Sequence, residues 1–65
     1  MTVNIRGLGK ITASEDVLSA LSLAFGYERD YLDAHRKGAL AAQADFRSHV
    51  IYEALDNVGY YDNIE

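Results

Sequence analysis

Three side chains that can bind a metal ion recur one helical turn apart in the second half of the sequence. Asp45, His49 and Glu53 are spaced four residues apart, which places them on one face of a helix. Carboxylate and imidazole groups are common ligands of divalent metals. One helix face offers too few converging ligands for a closed site, and this face lies opposite the apolar stripe of its helix. The pattern therefore predicts a solvated acidic face, and we expect no metal or other cofactor.

A glycine-rich segment near the N-terminus contains residue types that bind anions. Arg6 and Lys10 flank Gly7, Leu8 and Gly9. The spacing matches neither the phosphate-binding loop of nucleotide triphosphatases nor the dinucleotide-binding glycine motif. The segment predicts a bend in an extended chain rather than a phosphate site.

No arrangement of residues in the sequence predicts catalysis. The chain has no Cys, and neither His35 nor His49 has a serine or a second histidine at catalytic spacing. The carboxylates of Asp30 and Asp33 are spaced as on a helix surface rather than as a buried acid–base pair. A chain of 65 residues buries only about 60% of its surface on folding, too little to build the deep pocket of a typical enzyme. We therefore expect a non-enzymatic protein.

The charge of the chain is acidic and unevenly placed. Ten acidic and six basic residues give a formal net charge of −4, and residues 39–65 hold five acids and one base. An acidic chain repels nucleic acid in general and attracts a basic protein surface. No apolar run reaches the roughly 18–20 residues of a membrane span, and the N-terminus lacks the pattern of a signal peptide. The sequence predicts a cytoplasmic protein.

The alternation of residues 3–12 predicts an extended β segment within an N-terminal arm, residues 1–13. Val3, Ile5 and Ile11 share one face, as in a strand with one buried side. A tight hairpin about Gly7 and Leu8 is the alternative, but it sets Ile5 opposite a lysine and mixes the two faces. The pattern favours one strand that bends near Leu8.

The rest of the sequence predicts an antiparallel helical hairpin and a short aromatic tail, so the chain is mainly α and forms a single small domain, 1–65. Ser14 is an expected N-cap, the helices are expected at about 15–37 and 39–58 within a hairpin of 14–58, and the tail is 59–65. Gly26 either interrupts the first helix or lies within it. An antiparallel hairpin aligns the apolar stripe of the first helix with that of the second if the first helix is continuous, which favours the continuous form. The stripe of the second helix is Leu40, Ala44, Ile51, Leu55 and Val58.

The same alignment predicts one ion pair between the helices. Glu28 and Arg47 interrupt the two apolar stripes at the same level, so we expect them to form a structural ion pair that fixes the register. The apolar arc of the first helix is also wide, about 220° against the roughly 100° that one core contact needs. The excess predicts a further partner, and we expect a homodimer.

Four tyrosines are candidate partner-binding residues. Tyrosine buries a large area and keeps a polar tip, so it is enriched at binding hot spots. The first hypothesis is a small acidic protein–protein interaction module, an inhibitor or adaptor of the phage or mobile-element type that docks on a larger protein such as a nucleic-acid enzyme. Its candidate contact residues are Tyr27, Tyr31, Tyr60, Tyr61, Asp45, Glu53 and Asp56.

The order of a basic alternating strand, a capped helix, the segment Gly26-Tyr27-Glu28-Arg29-Asp30 and a further helix resembles ribbon-helix-helix repressors. Those proteins pair their N-terminal strands across a dimer and insert the ribbon into the major groove. The resemblance implies an alternative function as a dimeric DNA-binding regulator. The side chains that would then contact DNA are Asn4, Arg6, Lys10 and Thr12.

Overall fold

The computed structural model describes residues 1–63, and their side chains as far as Tyr61; Ile64 and Glu65, the end of the predicted tail 59–65, lie outside the described residues. The elements follow one another as β1 (Thr2–Ile5), β2 (Gly9–Thr12), α1 (Glu15–Ala34), α2 (Gly38–Asn57) and a 3-10 turn (Tyr60–Asn63). The predicted mainly helical architecture, with two helices packed as a hairpin, is confirmed.

The N-terminal arm is a β-hairpin, so the prediction of one bent strand is wrong. β1 and β2 pair antiparallel, with Val3 opposite Ile11 and Ile5 opposite Gly9. Three residues, 6–8, form the turn, and the amide of Leu8 donates to the carbonyl of Ile5 over 2.9 Å. Gly7 has φ 80°, a conformation that glycine adopts without strain. The three-residue turn shifts the register by one position, so the apolar residues of both strands share a face.

Helix α1 begins where its capping residue predicts. The hydroxyl of Ser14 accepts a hydrogen bond from the amide of Val17 over 3.2 Å, and two acids occupy the first turn, where the helix dipole favours them. The helix ends at Ala34, about three residues earlier than expected, because Arg36 takes the left-handed conformation with φ 58°. Gly38, which lies between the two expected helices, is the first residue of α2.

The core lies where the β-hairpin packs on α2 and the first turns of α1. Seven buried residues form it, and α1 contributes only one of them: Val3, Ile5, Leu18, Val50, Ile51, Ala54 and Leu55. Leu40 and Val58, which the sequence places on the buried stripe of α2, are half exposed, since they lie at the two ends of the helix. The core is therefore built around α2, and most of α1 lies outside it.

Gly26 lies inside a continuous α1, which confirms the favoured alternative. A Cβ atom added there would lie 3.6 Å from the hydroxyl oxygen of Ser48, which is an ordinary contact. Glycine in a helix interior is about 1 kcal/mol less favourable than alanine. The structure therefore has room for a side chain that the backbone favours.

We predict that Gly26→Ala raises the free energy of unfolding by up to about 1 kcal/mol, or about 4–8 °C in Tm for a domain of this size. Thermal unfolding followed by circular dichroism measures the shift. Gly7→Ala is the contrasting variant, because its Cβ would lie 2.8 Å from the Phe46 ring at a positive φ, and we expect it to lower Tm. A lower Tm for Gly26→Ala would show that the helices are closer at this point than the structure has them.

Candidate functional site

Two serines join the helices by hydrogen bonds. The hydroxyl of Ser22 donates to the carbonyl of Ser48 over 2.9 Å, and the hydroxyl of Ser48 donates to the carbonyl of Ser22 over 2.7 Å. Ser22 is only 7% exposed and is the buried polar residue of the described chain. We call this pair of reciprocal hydrogen bonds the serine clasp. It satisfies both hydroxyl donors, so a polar residue is buried here without the penalty of a missing partner.

An open groove of about 360 Å³ lies over the serine clasp. Gly26 forms part of its floor, and Leu23, Tyr27, His49 and Tyr52 stand around it. Tyr27 and Tyr52 are 72% and 48% exposed, so their rings border the groove on the α1 and α2 sides. The groove combines a polar floor with aromatic sides, a composition that suits the insertion of a partner's side chain.

The three candidate acids occupy the solvent-facing side of α2 beside this groove. Asp45 accepts a hydrogen bond from Arg29 over 2.7 Å, and Glu53 accepts one from Arg6 over 3.0 Å. Both ion pairs are exposed, and such pairs contribute little to stability. Hydrogen bonds to Asp45 and Asp30 raise the pKa of Arg29 above its ordinary value. Asp56 is exposed one turn beyond Glu53, so the predicted acidic face is continuous along α2.

The four candidate tyrosines separate into two pairs. Tyr27 and Tyr31 are 72% and 64% exposed on α1. Tyr60 and Tyr61 pack against the core, and Tyr61 stacks on the ring of Tyr52 with the ring centres 4.5 Å apart. The tail tyrosines therefore contribute to packing, whereas the α1 tyrosines are available to a partner.

The candidate DNA-contacting residues lie on the exposed surface of the β-hairpin. Arg6 bonds to Glu53 and its guanidinium lies 5.9 Å from the centre of the Phe46 ring. The hydroxyl of Thr12 lies 2.8 Å from that of Thr2. Asn4 and Lys10 are paired across the strands. In ribbon-helix-helix proteins the strand pairs with a second subunit, whereas here β1 pairs with β2 of its own chain.

The comparisons with known proteins add no relative. No protein family, curated protein or solved structure matches the chain.

Within residues 1–63, no helix is long and apolar enough to cross a bilayer. In the same residues, no three histidine, aspartate or glutamate side chains form a group suited to a metal ion. In the predicted row of Asp45, His49 and Glu53, the two carboxylates each form an ion pair with an arginine.

The groove contains two predicted partner-binding residues, Tyr27 and Asp45, but other lining residues were not predicted from the sequence. Ser22, Ser48 and Tyr52 are not apolar stripe residues, and a search for apolar spacing passes over them. The signal that could have found them is the run of small residues at one-turn spacing on each helix, with Ser22 and Gly26 on α1 and Ala41, Ala44 and Ser48 on α2. Small residues at such spacing allow two helix backbones to approach closely, and their hydroxyls can hydrogen-bond across the contact.

The interhelical ion pair of the described chain joins Arg29 to Asp45, not Glu28 to Arg47 as predicted. The guanidinium of Arg47 instead lies 5.8 Å from the centre of the Phe25 ring, and Glu28 is exposed. The rotation of α1 explains the change, because its small residues face α2 and Glu28 turns away.

We predict that Arg47→Ala lowers the free energy of unfolding by only about 0.5–1 kcal/mol, the size of an exposed cation–π contact. Urea unfolding measures it, with Glu28→Gln as a control that we expect to be neutral. A loss of about 3–5 kcal/mol for Arg47→Ala would instead indicate a buried pair with Glu28.

The hydroxyl of Tyr61 is the second group whose titration the structure changes. Partial burial raises the pKa of Tyr61 above its ordinary value, and a hydrogen bond with Ser19 opposes part of that shift. A pKa that is higher in the folded state than in the unfolded state contributes stability at lower pH, and this stability is lost as the pH rises through the folded value.

We therefore predict that the free energy of unfolding falls between about pH 8 and pH 11, across the usual tyrosine range, and falls less in Tyr61→Phe. Urea unfolding at the two pH values measures the difference. Tyr27→Phe is the matched control at an exposed position, and we expect it to behave as wild type. Equal losses in wild type and Tyr61→Phe would contradict the prediction.

Proposed function

We propose that this chain is a non-enzymatic protein-interaction module that docks the acidic side of α2 and the adjoining groove on a basic surface of a larger protein. The observation that carries the proposal is that one side of the helical hairpin brings together an open groove, exposed Tyr27 and Tyr52 rings, and the side chains of Asp45, Glu53 and Asp56. Aromatic side chains that keep a polar tip supply binding energy, and the acids select a partner of opposite charge.

The arginines that pair with these acids can be replaced by basic side chains of a partner. Arg29 and Arg6 reach Asp45 and Glu53 from other elements, and every carboxylate involved is about half exposed. Because a solvent-exposed ion pair is worth at most about 1 kcal/mol, lysine or arginine side chains of a partner can replace these arginines at little cost. Asp56 has no ion pair of its own among the described side chains and is the acid most open to a partner.

The proposed role is that of an inhibitor or adaptor in the cytoplasm. A nucleic-acid enzyme is a suitable class of target, because the site that binds the phosphate backbone is basic. An acidic protein of this size can cover such a site by charge complementarity. The proposed homodimer uses a different face of α1 and is argued in the next subsection.

The test is a pull-down from a lysate of the protein's own cell, with and without nuclease, using wild type and two charge-reversal variants. Asp56→Lys changes the acidic side of α2. Glu28→Lys is the matched control, because Glu28 is also an exposed helical acid without an ion pair among the described side chains, and it turns away from α2.

We expect one protein to be retained by wild type and by Glu28→Lys in the presence of nuclease, and to be lost or reduced with Asp56→Lys. With the purified partner, Asp56→Lys should slow association several-fold at low salt and less at high salt. Equal retention by all three chains would place the binding surface elsewhere. Recovery of nucleic acid that Lys10→Ala abolishes, with no protein left after nuclease, would establish the DNA-binding alternative.

A further inference from the structure

A regular row of side chains runs along the outside of α1. Its members are separated by three, four, three, four and three residues, and all of them are exposed: Val17, Ala20, Ala24, Tyr27, Tyr31 and Ala34. We call this row the outer seam. Alternation of three and four gives the 3.5-residue period by which two helices pack along a continuous line. A solvent-facing helix side normally carries charged residues at such positions, and the outer seam carries none.

Among the described side chains, the ring contact of the outer seam is that of Tyr31 with His35, at the end of the same helix, with the ring centres 4.3 Å apart. The serine clasp and Gly26 turn the small and polar side of α1 towards α2, and Leu18 is its one buried apolar residue. The outer seam lies on the opposite side of α1. Val17, Tyr27 and Tyr31 are 51%, 72% and 64% exposed, which is high for residues at the period of a packed helix.

The sizes of the seam residues identify the occupant. The N-terminal half of the seam carries small side chains at Ala20 and Ala24, and the C-terminal half carries large ones at Tyr27 and Tyr31. An antiparallel copy of α1 sets each large side chain against a small one. Ala24 then faces Tyr27 of the second copy, and Ala20 faces its Tyr31. A parallel copy would set tyrosine against tyrosine and alanine against alanine, which leaves voids at one end and crowding at the other.

We propose that a second copy of this chain packs on the outer seam, with the two α1 helices antiparallel about a twofold axis between residues 24 and 27. A twofold contact of this kind is self-complementary, as the large and small halves of the seam require. This inference goes beyond the proposed function and uses another side of the hairpin, although Tyr27 borders both.

The available area agrees with a dimer. A helix of 20 residues is about 30 Å long and about 11 Å across, so half of its surface is about 500 Å² per copy and about 1,000 Å² for two. That total meets the roughly 1,000 Å² required of a biological interface and lies below the roughly 1,200–2,000 Å² of stable complexes, as expected of a dimer of modest affinity. The chain exposes 4571 Å², whereas a folded monomer of its mass exposes about 4,100 Å². A contact of this size brings the exposure per chain back to the ordinary value.

The charges around the seam set the salt dependence of the contact. The seam itself is uncharged, but Asp16, Glu28 and Asp30 flank it, and each copy has a net charge of −4. Two copies therefore repel one another at long range, and added salt screens this repulsion. Dimerisation should strengthen as the salt concentration rises, whereas docking on a basic partner should weaken.

Sedimentation equilibrium of the full chain tests the proposal. We expect wild type to be a dimer at micromolar concentration and Ala24→Glu to be a monomer, with dimer affinity at least tenfold weaker. Ala24 is exposed, so Ala24→Glu is not expected to disturb the fold, and circular dichroism checks this. Ala42→Glu is the matched control, an exposed alanine within α2, and we expect it to dimerise like wild type.

Cysteine cross-linking tests the orientation, because the chain has no Cys of its own. In an oxidised mixture of Ala20→Cys and Tyr31→Cys chains, antiparallel helices give disulfides between the two variants. Parallel helices give disulfides within each variant, and mass spectrometry separates these products.

A monomeric wild type, a dimer that Ala24→Glu leaves intact, or disulfides only between identical variants would each overturn the proposal. If the chain is monomeric but the partner is still retained in an Asp56-dependent way, the dimer fails and the proposed function stands.

Discussion

The reciprocal hydrogen bonds between Ser22 and Ser48 set the orientation of α1, and the rest of the surface follows from that orientation. Each hydroxyl reaches the backbone carbonyl of the other helix, so small and polar residues join the helices beside the core, in which Leu18 is buried and against which Phe25 packs. Gly26, one turn along, also faces α2, and an added Cβ there would lie 3.6 Å from the Ser48 hydroxyl. Because a helix has only one side to turn inward, Val17, Tyr27 and Tyr31 are left on the outside. The exposed seam is therefore a consequence of how the hairpin closes.

This orientation gives the molecule two surfaces of different character. The side that carries the groove and the acids of α2 is charged, and ionic contacts there depend strongly on salt. The outer seam is uncharged and regular in spacing, so a partner there must match its shape. The two surfaces meet at Tyr27, which borders the groove with one edge and lies in the seam. A partner on one surface would therefore restrict the Tyr27 ring for a partner on the other surface, so the two proposed contacts share this residue.

Much of the architecture could be predicted from the sequence, because its signals are local. Ser14 marks the start of α1, and the spacing of Ala44, Ile51 and Leu55 correctly indicates the buried side of α2. The rest depends on contacts distant in sequence. The three-residue turn of the hairpin follows from the pairing of the strands. The rotation of α1 follows from hydrogen bonds of serine hydroxyls, which the spacing of apolar residues does not predict. The predicted Glu28–Arg47 pair is wrong for this reason, because the prediction took the apolar stripe of α1 to face α2.

The small core links folding to assembly. Seven buried residues, to which α1 contributes Leu18 with Phe25 partly buried beside it, give a 65-residue chain little apolar burial with which to offset the conformational entropy of ordering it. Disulfides cannot supply the difference, because the chain has no Cys. Any partner that binds the folded chain but not the unfolded one stabilises it by mass action. A second copy on the outer seam would bury apolar surface of α1 that the single chain leaves exposed, so dimerisation there would also stabilise the fold.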